Sequence, residues 1–311
     1  MQKSEKSPVR RWLEIIGSLL LIYGVYTERH VLATSLSTTR HAYVVPMLIC
    51  FSLTWLLFLC SALGYRILLR KPVSFWHIVL AHMAAGGPGR VIPGGAGHLS
   101  FGTLFLRKNG LTTPQALAVA LSNNLSGFIV NIAVLAVIYT ADPGLLKSLH
   151  ISVKSICVGL VGLVVIIALI MVARRSKKLK KGTDTTGKEF KLLWIRMRSQ
   201  PHRVAVLVFA MLSSIFINSI MLYFAARAVH LNLPLNKAVV AMSTGVALGG
   251  LVPTPGGIGG VEAGLIASMY ALGFNLEVST SAALLYRFAT YILPFIPGIC
   301  AYLFLRRKKL L

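Results

Sequence analysis

The sequence predicts an all-α, polytopic integral membrane protein with about six transmembrane helices and two re-entrant helical hairpins, arranged as an inverted internal repeat. Three observations predict it. Of 311 residues, 56% are hydrophobic and only 13% charged, with a mean hydropathy of +0.74; a soluble domain is nearer a quarter charged, so there is too little polar surface to cover a globule of this size. Several apolar stretches reach the ~20 residues that a bilayer core requires. Two further apolar stretches are too long for one crossing and are broken by Gly and Pro near their middles.

Membrane segments are expected near 12–27, 43–65, 114–140, 150–173, 204–226 and 281–305. Lys3, Lys6, Arg10 and Arg11 precede the apolar stretch from Trp12 to Tyr26, as in a signal peptide. Thr27-Glu28-Arg29-His30 follows in place of a small-residue cleavage site, so an uncleaved first helix is expected. Cys50, Cys60, Cys157 and Cys300 lie inside apolar runs without metal-ligand or disulfide spacing and read as packing residues. The formal charge of +24 does not point to nucleic acid, because the cations sit between apolar segments and build no basic domain.

The two long stretches are 73–106 and 238–271. The first is broken by Gly86-Gly87-Pro88-Gly89-Arg90-Val91-Ile92-Pro93-Gly94-Gly95-Ala96-Gly97, the second by Gly249-Gly250-Leu251-Val252-Pro253-Thr254-Pro255-Gly256-Gly257-Ile258-Gly259-Gly260. Proline and glycine at this density stop a helix, and freed backbone groups cannot face lipid. Each stretch therefore reads as a half-helix in, a loop, and a half-helix out. With the N-terminus cytoplasmic and both stretches returning to their side of entry, 24 of the 32 Lys and Arg fall in inside loops and six outside, as the positive-inside rule expects. This predicts a multi-pass protein of the cytoplasmic (inner) membrane with both termini cytoplasmic.

The breaks repeat one another. Pro93-Gly94-Gly95-Ala96-Gly97 and Gly102 match Pro255-Gly256-Gly257-Ile258-Gly259 and Gly264 at constant offset. After a one-residue slip, Gly110 matches Gly273 and Ala118–Leu121 matches Ser281–Leu284. The expected organisation is a first half over 1–173 containing hairpin 73–106, a basic cytoplasmic loop over 174–203, and a second half over 204–311 containing hairpin 238–271. In that loop the Lys177–Asp184 part is expected to be mobile, and Phe190–Arg196, mixing apolar and basic residues, to suit anionic headgroups. Inverted repeats with broken helices form a binding site near the midplane, where half-helix N-termini favour anionic groups.

Ionisable residues at membrane depth are expensive and usually functional. Three stand out: Arg90 in the first break, Glu262 just after the second, and Arg287 in the last segment. Glu262 is expected to pair with an arginine, Arg287 ahead of Arg90, leaving a net positive site suited to a lipid phosphate. The predicted headgroup site comprises Arg90, Gly94, Gly95 and Gly97 from the first break. Gly256, Gly257, Gly259 and Glu262 come from the second, joined by Tyr286 and Arg287. Asn124, the first-half counterpart of Arg287, completes it, while Ser100 stands where Glu262 does. Asn123, Asn124 and Asn131 make segment 114–140 polar, with interhelix hydrogen bonding as their plainer role. His77, His82 and His98 fit no zinc spacing; no metal, no cofactor and no catalytic residue is predicted. Asp142 and Asp184 fall in expected loops, and no nucleophile elbow is present.

Pro253-Thr254-Pro255-Gly256-Gly257-Ile258-Gly259-Gly260-Val261-Glu262-Ala263, followed by Leu285-Tyr286-Arg287, resembles the second-half signature of the lysylphosphatidylglycerol synthase transmembrane family, the flippase-like membrane domain of the multiple peptide resistance factor and its stand-alone relatives. Ile92–Gly97 and Leu104–Gly110 resemble the first-half signature. The likeness runs from about residue 12 to 305 and implies a flippase or lipid transporter acting on a phospholipid or related envelope lipid. It departs at Ser100-Phe101, where the family pattern has an arginine, and at Ser122-Asn123-Asn124, where it has an acidic–basic pair. Since the sequence ends in Arg306–Leu311, a stand-alone member without the cytoplasmic synthase domain is expected, not an enzyme. The second reading is a non-transporting membrane partner of a lipid or cell-envelope glycan enzyme.

Overall fold

A computed structural model of the chain describes residues 43–70, 72–87, 96–142, 144, 177–249 and 259–311. The predicted segments 12–27 and 150–173 and the centres of both glycine-rich breaks lie outside the described residues. In chain order the helices are α1 (Val44–Leu68), α2 (Phe75–Gly86), α3 (Ala96–Lys108), α4 (Thr113–Ala141), α5 (Lys177–Arg198), α6 (Pro201–Ala228), α7 (Leu235–Gly249), α8 (Gly260–Ala271) and α9 (Leu276–Arg287). A π-helical turn, Phe288–Ile292, and α10 (Phe295–Arg307) complete them. Among the described residues there is no strand.

Four helical segments are long and apolar enough to cross a membrane: α1, α4, α6 and the composite Leu276–Arg307. At ~1.5 Å per residue the 25 residues of α1 and 28 of α6 exceed a hydrocarbon core of ~30 Å. The 12 to 15 residues of α2, α3, α7 and α8 do not. Each stretch expected to be broken is therefore a pair of half-length helices.

The pairs open onto opposite ends of the bundle. Helices α1 and α6 run antiparallel: Tyr43 N–H at the start of α1 donates to Ala228 O at the end of α6 at 2.7 Å, and Arg203 at the start of α6 donates to Ile67 O at the end of α1 at 3.3 Å. The α2/α3 pair follows the end of α1. The α7/α8 pair follows the end of α6, and Lys237 Nζ donates to Leu272 O across its base at 3.3 Å. Deeper, Thr244 Oγ1 meets Ser268 Oγ at 3.0 Å. A Cβ on Gly245 would lie 2.9 Å from the Leu265 backbone, so this glycine is what lets α7 and α8 touch.

The repeat seen in sequence has a structural counterpart where each half-length pair hands over to the next helix. Gly110 (φ 86°) and Gly273 (φ 88°) end α3 and α8 in the left-handed region. The following Leu111 and Phe274 N–H groups reach back to Leu106 O and Met269 O at 3.1 and 3.2 Å, which is the Schellman closure. The next helix begins two residues on in both halves. Asn275 Oδ1 accepts from Glu277 N–H at 2.8 Å; Gln115 Oε1 accepts from Thr112 N–H at 3.1 Å.

Apolar packing gathers in two clusters. One joins α6 to α9 through Met221, Leu222, Val240, Leu265, Met269 and Leu285. The other joins α1 to α6 with α10 through Ile78, Phe105, Leu106, Leu193, Leu207 and Leu305. Cys50 is buried, Cys60 half-buried and Cys300 exposed; Cys157 lies outside the described residues. His82 is buried with its ring edge-on to Tyr65, centroids 4.5 Å apart, in a packing role.

Three expectations are corrected. Loop 174–203 was expected between the halves, but Lys177–Arg198 within it is one helix, and Asp184 lies in that helix and not in a loop. Leu193 and Met197 are buried against the bundle and anchor the second half of this helix by tertiary packing. The last span is not a single helix over 281–305; it begins at Leu276 and is interrupted by the π turn. Its cause is local. In the π register, where Leu293 N–H donates to Phe288 O at 2.9 Å, the next donor would be residue 294. That residue is proline and has no N–H. The bare carbonyl of Ala289 is filled from α1 by Thr54 Oγ1 at 3.1 Å.

Candidate functional site

The start of α8 and the end of α9 bring Glu262 and Arg287 together, as the sequence suggested. Arg287 Nε donates to Glu262 Oε1 at 2.7 Å, and the two side chains are only 13% and 18% exposed. The second carboxylate oxygen accepts from Gly259 N–H at 2.9 Å. Gly259 takes a φ of +81°, a left-handed conformation that glycine adopts without strain. Glu262 thus sits in the first turn of α8, satisfying one of its orphan donors and complementing its dipole. The guanidinium of Arg287 lies 4.9 Å from the Tyr291 ring centroid, within cation–π range.

Arg287 is the last residue before the π turn, a feature that frequently marks functional positions. On the far side of that turn, Gly298 of α10 receives the tip of α2: a Cβ on Gly298 would lie 2.7 Å from Gly87 Cα. The inner ends of both half-length pairs therefore dock on one segment, on either side of its irregular turn.

Other predicted site residues are placed differently. Tyr286 is buried at 4% exposure, and its hydroxyl donates to Asn218 Oδ1 on α6 at 2.6 Å. Asn124 is exposed on α4, which packs on α1, α3, α5, α6 and α7 rather than on α8 or α9. The structure does not bring it to the Glu262–Arg287 pair, because the face of α4 that turns toward the bundle carries Ser122, Ser126 and Val130 instead. Asn131 hydrogen-bonds Ser243 O at 3.1 Å, an interhelix contact of the plainer kind. Gly97 lies in α3. Arg90, Gly94, Gly95, Gly256 and Gly257 lie outside the described residues.

Sequence reasoning missed Tyr291 and Asn218. The first was legible: Tyr291 stands four residues after Arg287, one helical turn on the same face. Asn218 carries no such signal, since only the packing of α6 on α9 brings it to Tyr286.

A family model described as the lysylphosphatidylglycerol synthase TM region matches residues 12–298. No curated protein matches the chain.

Proposed function

The chain belongs to the lysylphosphatidylglycerol synthase transmembrane family, and from that premise we propose that it moves a phospholipid or related envelope lipid across the cytoplasmic membrane, its headgroup meeting the Glu262–Arg287 pair. The observation that carries this reading is that pair: a carboxylate and a guanidinium 2.7 Å apart and largely shielded, at the tip of a half-length helix. A charged pair at membrane depth is costly unless it has a task.

On this reading the two half-length helix pairs are re-entrant, entering from opposite faces, with cytoplasmic termini. A lipid phosphodiester competes with Glu262 for Arg287, whose planar fork suits phosphate oxygens. An ammonium on the headgroup takes Glu262 in exchange. A zwitterionic or aminoacylated headgroup is thus complementary to the pair, and the process is exchange of partners, transport rather than catalysis.

Reconstitution into liposomes with fluorescent phosphatidylethanolamine and phosphatidylglycerol tests it. Wild type accelerates transbilayer movement, and both Arg287→Ala and Glu262→Gln abolish the acceleration. Equal movement by wild type and Arg287→Ala counts against the site. A wild type that moves no lipid but copurifies with a stoichiometric envelope enzyme counts for the partner reading.

A further inference from the structure

At the opposite end of α9's neighbours, where α1 ends and α6 begins, three arginines gather. Arg70 follows α1, Arg196 lies in the last turn of α5, and Arg203 in the first turn of α6. The charges of Arg70 and Arg203 both bear on Arg196. Partial burial first, and then this repulsion, lower its pKa from the ordinary arginine value. Among the described residues no carboxylate forms an ion pair with any of the three. Arg203 also sits where it is electrostatically unfavourable, at the positive end of a helix whose first turn holds no acid. Its guanidinium donates to Ile67 O at 3.3 Å. Like charges drawn together at a helix N-terminus leave an electrostatic deficit that an anion would fill.

Beside them is a cavity of about 230 Å³ whose rim carries Arg70, Gln115 and Glu189. Its walls are apolar: Leu68, Leu111, Ala118, Val119 and Leu193. Glu189 is the one acid among the lining residues, and Gln115 Nε2 holds it at 3.5 Å. The surroundings therefore remain net cationic, three arginines against one carboxylate. Next to the cavity, α5 exposes Leu192 and Ile195, apolar side chains on a helix otherwise rich in Lys and Arg. Such a helix lies at a membrane–water boundary.

We propose that Arg70, Arg196 and Arg203 form a second lipid site, binding the phosphate of an anionic phospholipid of the adjoining leaflet, with the glycerol and first acyl carbons in the neighbouring apolar cavity. The three arginines come from three elements, so the bound lipid ties α5 to the ends of α1 and α6. This site is separate from the Glu262–Arg287 pair. Its readout is lipid retained by the protein and not lipid moved, so it fails independently of the proposed transport.

The test uses the full chain purified in mixed micelles of phosphatidylglycerol and phosphatidylcholine, with retained lipid measured by native mass spectrometry. Wild type retains phosphatidylglycerol in preference by at least about tenfold. Arg70→Gln/Arg196→Gln/Arg203→Gln loses that preference, while Lys308→Gln/Lys309→Gln, which removes two cations but keeps the three arginines, retains it. Where the triple variant does not fold, Arg70→Gln alone, outside any helix, lowers the preference severalfold. An unchanged preference in these variants, or equal loss in the Lys308/Lys309 control, overturns the site. Inorganic phosphate and the cavity-filling Ala118→Leu separate lipid from free anion. A lipid ligand is weakened by Ala118→Leu and is not displaced by millimolar phosphate. Displacement by phosphate, with Ala118→Leu without effect, overturns the lipid assignment.

Discussion

Gly298 lies against Gly87 so closely that neither position has room for a methyl group. A Cβ on Gly298 would be 2.6 Å from the Met83 carbonyl oxygen and 2.7 Å from Gly87 Cα, and one on Gly87 would be 2.9 Å from the Gly298 backbone. Backbone atoms cannot swing aside as a side chain can, so Gly298→Ala has to push the tip of α2 off α10. The expected loss is about 1–3 kcal/mol, read as a lower unfolding temperature in detergent. An unchanged temperature would mean that this contact does not hold α2. Gly187→Ala on α5, with open space around it, is expected to stabilise by about 0.5–1 kcal/mol.

The Glu262–Arg287 pair predicts a strong coupling. Arg287→Ala leaves the carboxylate with the Gly259 N–H and without its counter-charge, at a cost of about 1–3 kcal/mol. Arg287→Ala combined with Glu262→Gln is expected to cost less than the sum of the two single variants. A double-mutant cycle of unfolding free energies measures this, and additive values would exclude the coupling. Arg287→Lys should not restore the pair, because it lacks the Nε donor and the planar group over Tyr291.

Thr54 and Pro294 predict a conditional effect. Thr54→Val keeps shape but leaves the Ala289 carbonyl unpaired, costing about 1–3 kcal/mol. Pro294→Ala restores a backbone donor to that turn, so Thr54→Val should cost less than half as much in that background. Equal costs in both backgrounds would refute the account of the π turn.

Gly110 and Gly273 should respond alike. Both hold positive φ in the same closure, so Ala at either is expected to destabilise by about 1–2 kcal/mol and Asn by less. Thermal unfolding of the four variants checks this. A large cost in one half alone would show that the two turns are not equivalent.

The equivalence of Gly110 and Gly273 was legible in sequence because a left-handed helix stop is a local device, written in the residue that adopts it. The same holds for α1, α4 and α6, whose hydropathy is a property of each segment alone, and for the half-length helices, since Gly and Pro act on their own backbone. The meeting of Glu262 and Arg287 was legible for another reason: the apolar stretches hold so few ionisable groups that the candidate partners of Glu262 were few. The helix over Lys177–Arg198, the π turn and the exposure of Asn124 were not. Each depends on which face of a helix meets protein, and hydropathy cannot distinguish faces where lipid tails are as apolar as a protein interior. Among the described residues, sequence alone therefore determined which helices are long and apolar, where the half-length ones fall, and that Glu262 meets Arg287. Only the packing of small residues and polar side chains across helices, at Gly87 and Gly298 and at Thr54 and Ala289, decided how those pieces fit together.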